Sequence, residues 1–154
     1  MKCKICGTGT KKDLEIAVAA GADAIGFIVG TTHKSEDSIS PAEAREMIQS
    51  LPPFVSGVVV THLTDADDLV RLVEETGCSV LQIQDMVSVE TLVLLRERFS
   101  YLFIIKAVHV LDETAVCVAK EFEEFADAIL LDSRTADRLG GTGITHTGPF
   151  LLRL

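Results

Sequence analysis

A cysteine and an aspartate, each closing an apolar run, are the residues of this sequence best suited to chemistry. Cys6 ends the run in Lys4-Ile5-Cys6-Gly7, Asp132 ends Leu130-Leu131-Asp132, and the glycine-rich segment Gly140-Gly141-Thr142-Gly143 follows. A thiol acts as a base through its thiolate, and a carboxyl acts as an acid when partial desolvation keeps it protonated. Parallel α/β proteins gather such groups at the carboxyl ends of their strands, so an acid/base pair facing one mouth is the chemistry expected here. Read singly, the same residues also suit plainer roles, Cys6 as a small buried apolar residue and Asp132 as a helix-capping carboxylate.

The elements that must position this pair alternate along the chain. Apolar runs at residues 3–6, 24–29, 57–61, 80–84, 102–110 and 128–131 lack clean alternation, as strands covered on both faces do. Between them lie helix-like segments with apolar residues three and four apart. The first carries Leu14 and Val18, the second Ala44, Met47, Ile48 and Leu51, and the third Leu69, Leu72 and Val73; the fourth and fifth cover residues 88–99 and 112–125. Ser40-Pro41-Ala42-Glu43 combines an N-cap, a first-turn proline and a capping-box glutamate, while Gly21 and Gly77 stand where helices end. Strands alternating with helices predict a parallel sheet joined by right-handed crossovers, either doubly wound or most of a (β/α)8 barrel. Spacing alone leaves both open. A dinucleotide site is not expected, because Cys6-Gly7-Thr8-Gly9-Thr10 lacks the third glycine of that fingerprint.

Composition narrows the class. The 154 residues are 47% hydrophobic with mean hydropathy +0.33, enough for the core of one domain spanning 1–154. A net charge of −9 and no Lys/Arg cluster beyond Lys11-Lys12 argue against nucleic acid as a partner. No apolar run approaches membrane-spanning length and the amino terminus has no signal-peptide pattern, so a cytoplasmic protein is expected. Cys3, Cys6, Cys78 and Cys117 are too few and scattered for a disulfide framework. Cys3 and Cys6 match C-x-x-C, but residues three apart on a strand face opposite ways, and no second pair completes a metal site.

Several segments, in order, resemble the phosphoribosylanthranilate isomerase family of tryptophan biosynthesis. They are Lys4-Ile5-Cys6-Gly7, Ala20-Gly21-Ala22-Asp23-Ala24-Ile25-Gly26-Phe27, Ile39-Ser40-Pro41, Leu51-Pro52-Pro53-Phe54-Val55, Ile105-Lys106-Ala107-Val108, Leu130-Leu131-Asp132 and Gly140-Gly141-Thr142-Gly143, spread over residues 2–146. The resemblance implies a (β/α)8 TIM-barrel fold and a cofactor-free Amadori rearrangement of N-(5'-phosphoribosyl)anthranilate, an aldose-ketose isomerisation. It assigns the general base to Cys6 and the general acid to Asp132. It also places Gln82 in the substrate pocket and makes Gly141, Thr142 and Gly143 part of a substrate-contacting loop. The partner it implies is a small phosphoribosyl molecule.

This chain departs from the family pattern at three places. Where the family carries an arginine before Ile39-Ser40-Pro41, this chain has Ser35-Glu36-Asp37-Ser38, and acidic residues there would repel a substrate carboxylate. A histidine-glycine after the fourth strand becomes Gln84-Asp85, with His33, Lys34 or His62 as substitutes for the missing positive contact. The family continues after Gly143 with two further βα units that bind phosphate, so the resemblance predicts an incomplete barrel of about six βα units, impaired in activity and prone to self-association through unpaired strand edges. The alternatives are a non-catalytic or assembly-dependent partial barrel, and a related barrel enzyme acting on a different phosphosugar. In a different barrel enzyme Lys106 could form a Schiff base and His62 and His109 could ligate a metal; their plainer roles are a lysine reaching the mouth or a carboxylate and two rim histidines.

Overall fold

A computed structural model describes residues 1–32 and 36–133. The elements follow one another as β1 (Lys4–Cys6), α1 (Lys11–Ala19), β2 (Ala24–Ile28), α2 (Pro41–Gln49), β3 (Ser56–Thr61), α3 (Ala66–Thr76), β4 (Val80–Ile83), α4 (Val89–Arg98), β5 (Phe103–Val110), α5 (Thr114–Phe122) and β6 (Ala128–Ser133). The sixth strand runs two residues past the expected stretch, so Asp132 lies inside it.

Local chemistry sets the helix limits. Thr10, Ser40, Asp65 and Ser88 each accept a backbone N–H of the first turn at the head of α1, α2, α3 and α4. At α2 the capping box is complete: the Glu43 N–H donates to Ser40 Oγ at 3.3 Å and the Ser40 N–H donates to Glu43 Oε2 at 2.8 Å. At the end of α1, the Gly21 N–H bonds Val18 O and the Ala22 N–H bonds Ala17 O. That pair of bonds, with Gly21 at φ 86°, closes the helix as the sequence predicts.

All six strands are parallel and their order in the sheet is β1-β2-β3-β4-β5-β6. A doubly wound sheet reverses its strand order at a switch point; this one never does. The helices accordingly collect on one face. Ile25, Phe27, Val29, Val59, Leu81, Ile83 and Ile104 join residues of α1 to α5, Phe122 among them, in one buried apolar cluster. Alternation along each strand turns the other set, including Lys4, Gly26, Val60, Gln82 and Asp132, to the opposite face.

That second face is concave. Lys4 of β1 donates a hydrogen bond to Gln82 of β4, although β2 and β3 lie between them in the sheet. In a flat sheet those strands would be roughly 14 Å apart, beyond a lysine and a glutamine side chain together at hydrogen-bonding geometry. The sheet therefore curls toward a barrel, which decides the choice that spacing left open.

Candidate active site

Cys6 and Asp132 take their positions from the first and last described strands. β1 is held in register by the pairs Lys4↔Ala24, Ile5↔Ile25 and Cys6↔Gly26. Its start is pinned by Asp23, whose carboxylate accepts from the Cys3 N–H at 2.8 Å and from Lys2 Nζ at 2.7 Å. The Lys2 ammonium and the Cys3 N–H keep the Asp23 carboxyl below the usual carboxylate range. Immediately after Cys6 the chain turns through Gly7 at φ 80°, and the N–H groups of Gly7 and Thr8 both bond the Gly26 carbonyl at 3.1 Å. Such a backbone angle favours glycine, so the thiol sits at the point where strand becomes mouth.

The thiol is exposed, which excludes the plain role of a buried apolar residue. Gly26 leaves room for it. A Cβ built there would meet Cys6 Sγ at 2.9 Å and Cys6 Cα at 3.2 Å. Gly26→Ala is expected to cost about 1–3 kcal/mol in urea unfolding, because relief requires moving the thiol or the backbone of β1. Unchanged stability with an unchanged rate of Cys6 alkylation would contradict the contact.

Asp132 is half-buried and accepts a hydrogen bond from Gln84 Nε2 at 2.6 Å. His109, its register partner on β5, places Nδ1 3.8 Å from the same Oδ2, beyond hydrogen-bonding distance. Gln82, also on the concave face, is buried between Lys4 and Gln84. Cys6, Gln82 and Asp132 thus share one surface, with Cys6 and Asp132 at the carboxyl ends of their strands. Gly141, Thr142 and Gly143 lie outside the described residues.

Other sequence candidates fall elsewhere. Lys106 does not reach the mouth interior. It shares the helix-facing side of β5 with Ile104 and Val108, fully buried, with Nζ 5.4 Å from the Phe122 ring centre and donating to the Ala107 carbonyl. Burial lowers its pKa to about 8, against the opposing pull of the Asp85 carboxylate. No carbonyl substrate in the concave mouth could reach it. His62, at the end of β3, pairs with Asp85 across 3.1 Å, and among the described residues no group of three or more acidic, histidine or cysteine side chains is placed to hold a metal ion. The four cysteines are free thiols. Asp37 brings its Oδ2 to 3.4 Å from where a Gly7 side chain would begin, so the acidic loop does border Cys6.

Two residues of this surface were not singled out by sequence as site residues. Lys4 and Gln84 stand two positions from Cys6 and Gln82, and a polar pair at that spacing in a strand marks one face. Among the described residues no helix is long and apolar enough to cross a membrane.

The profile that describes N-(5'phosphoribosyl)anthranilate (PRA) isomerase matches residues 3–145. The chain belongs to the PRA isomerase family. A relative from Methanosarcina mazei, N-(5'-phosphoribosyl)anthranilate isomerase 2, is 37% identical over 148 residues, which are 95% of this chain and 66% of that protein. One from Methanothrix thermoacetophila is 37% identical over 145 residues, 94% of this chain and 67% of the relative. The crystal structure of phosphoribosyl anthranilate isomerase from Thermotoga maritima superposes with a TM-score of 0.78 at 32% identity, covering 94% of this chain and 67% of that one. Another PRA isomerase structure, in complex with reduced 1-(o-carboxyphenylamino)-1-deoxyribulose 5-phosphate, gives 0.73 at 33% identity, covering 87% and 66%. The chain thus spans about two thirds of the length of these PRA isomerases, and its six strands are the curled sheet of their (β/α)8 barrel type.

Proposed function

We propose that this chain carries the acid/base chemistry of PRA isomerase, converting N-(5'-phosphoribosyl)anthranilate to 1-(o-carboxyphenylamino)-1-deoxyribulose 5-phosphate without a cofactor. The observation that supports it best is the placement of Cys6 and Asp132 at strand carboxyl ends on one concave face, with the thiol exposed. In the first step the Asp132 proton goes to the ribose ring oxygen while the C1–O bond breaks. The electrons of that bond stay on the oxygen, and the nitrogen lone pair forms C1=N. Cys6, as thiolate, then takes the C2 proton, and the C2–H electrons form C1=C2 as the C=N pair returns to nitrogen. The resulting enol becomes the ketone. Gln82, Gly141, Thr142 and Gly143 are the substrate-contacting groups of this proposal.

Asp37 beside Gly7 favours a second reading, in which the substrate is a phosphosugar amine without the anthranilate carboxylate. Freshly generated PRA, followed by loss of its fluorescence, tests the first. The assay is run on this chain and on a fusion to the carboxyl-terminal third of the Methanosarcina mazei relative, and the phosphoribosylamine of aniline serves as the second substrate. Turnover of PRA by either protein supports the proposal; turnover of the aniline analogue alone selects the second reading; none by either protein with either substrate overturns both. Self-association belongs to the same proposal: one solved structure, 28% identical with a TM-score of 0.72, is of monomers generated from the dimeric PRA isomerase of Thermotoga maritima, and β1 and β6 are the outer strands of the sheet among the described residues. A cytoplasmic location goes with it.

A further inference from the structure

The concave face carries a chain of hydrogen bonds whose direction is set at its ends. Lys4 Nζ donates to Gln82 Oε1, Gln82 Nε2 donates to Gln84 Oε1 at 2.9 Å, and Gln84 Nε2 donates to Asp132 Oδ2 at 2.6 Å. Lys4 is half-buried, and Gln82 and Gln84 are buried at 3% and 8% exposure, so water does not substitute freely for these partners.

An ammonium can only donate, whereas a primary amide has a donor end and an acceptor end. Lys4 therefore compels Gln82 to turn its carbonyl oxygen toward β1 and its NH2 toward Gln84. The same logic repeats once, so an N–H must arrive at Asp132. Reversing either amide sets donor against donor or acceptor against acceptor, and each buried group left unmet costs about 1–3 kcal/mol.

We infer that Lys4, acting through Gln82 and Gln84, is a positioning residue for Asp132: it makes Oδ2 the oxygen that accepts from the protein and leaves Oδ1 as the oxygen through which the proton passes. This rests on the acid role proposed for Asp132. Oδ2 accepts the Gln84 N–H equally well as a carboxylate oxygen or as the carbonyl oxygen of the neutral acid. No amide has to turn over as the proton leaves, and a donor already in place costs no reorganisation during the reaction. The device is particular to a chain with an amide at position 84, because a group with one donor and one acceptor end transmits direction.

The test uses the full chain with 15N-labelled glutamine side chains and the variants Lys4→Met, Lys4→Arg and Gln82→Leu. Lys4→Met leaves Gln82 Oε1 without its donor and loosens the chain from that end, so the Gln84 NH2 resonances shift and their hydrogen exchange rises at least about 10-fold, whereas Lys4→Arg, which still only donates, keeps the wild-type signature. Gln82→Leu cuts the chain in its middle with Lys4 retained and gives the same change at Gln84, which covers the case of a Lys4→Met chain that fails to fold. Where PRA is turned over, Lys4→Met lowers kcat by about 10-fold to 10²-fold with KM within twofold, and Lys4→Arg restores it. Gln84 resonances unchanged in Lys4→Met or Gln82→Leu overturn the inference whether or not the chain is active. Absence of turnover in both the parent chain and its fusion, with PRA and with the aniline analogue and with the amide changes as expected, overturns the acid role and so the positioning role.

Discussion

Cys6→Ala and Asp132→Asn each lower kcat on PRA by about 10³-fold, the middle of the range that a positioned general base or acid contributes. The alanine variant keeps the mouth geometry and removes only the acceptor for the C2 proton. The asparagine variant keeps the size of Asp132 and its hydrogen bond from Gln84 but has no proton to give the ring oxygen. Since ring opening precedes proton abstraction, the double variant is expected to be only slightly worse than either single one. Stability serves as the control. Cys6 is exposed and Asp132 half-buried, so Cys6→Ala stays within about 0.5 kcal/mol of the parent in urea. Initial rates of PRA fluorescence loss, compared at matched folded fraction, decide the matter. A Cys6→Ala chain within threefold of the parent removes the thiol from the mechanism.

Raising the pH from 8 to 10.5 stabilises the fold, and Lys106→Met abolishes the rise. Lys106 is fully buried on the helix side of β5 against Phe122, and loss of hydration lowers its pKa from 10.5 to about 8. Between those values the unfolded chain binds a proton that the folded chain has released, so stability increases with pH. Its full contribution is present above the unfolded value and is lost as pH falls through about 8. At 1.36 kcal/mol per pKa unit, holding the ammonium in the core at neutral pH costs on the order of 3 kcal/mol. Methionine fills nearly the same space with no charge to desolvate. Lys106→Met is therefore more stable than the parent at pH 7, and its advantage shrinks toward zero near pH 10.5. Urea unfolding of both chains at the two pH values measures the difference, in which the titration of other groups cancels. A constant gap between them would show that the lysine does not change its protonation on folding.

Much of the architecture was legible because its signals are local. Ser40 with Glu43, and Gly21 with Gly77, mark helix ends through bonds made within a few residues. The curl of the sheet was legible only through the family resemblance and not from pattern or spacing, since it rests on contacts such as Lys4 with Gln82, far apart in the chain. Which face each strand residue takes was also hidden, because both faces of a buried strand are apolar. Lys106 shows the consequence: set among Ile104, Ile105, Ala107 and Val108, it gives no sign of its side, and only the packing of Ile104 and Val108 against helices assigns it to the helix layer. For the site, the types and strand-end positions of Cys6 and Asp132 were readable. The hydrogen-bond chain that ends on Asp132 runs from Lys4 through Gln84, a residue that the family pattern presents only as a departure.

Strand order equal to chain order also bears on how the molecule is made. Each new strand docks beside the one synthesised just before it, so every step closes a short loop and the sheet can lengthen in one direction as the ribosome delivers it. The hydrogen bonds that cross the curl are the exception. Lys4 waits for residue 82 and Gln84 for residue 132, so the interior polar chain is sealed from one end to the other and is finished only when the strand bearing the carboxyl arrives. Until then a pulse of deuterium should label the side-chain amide of Gln84 long after the backbone of the early strands is protected.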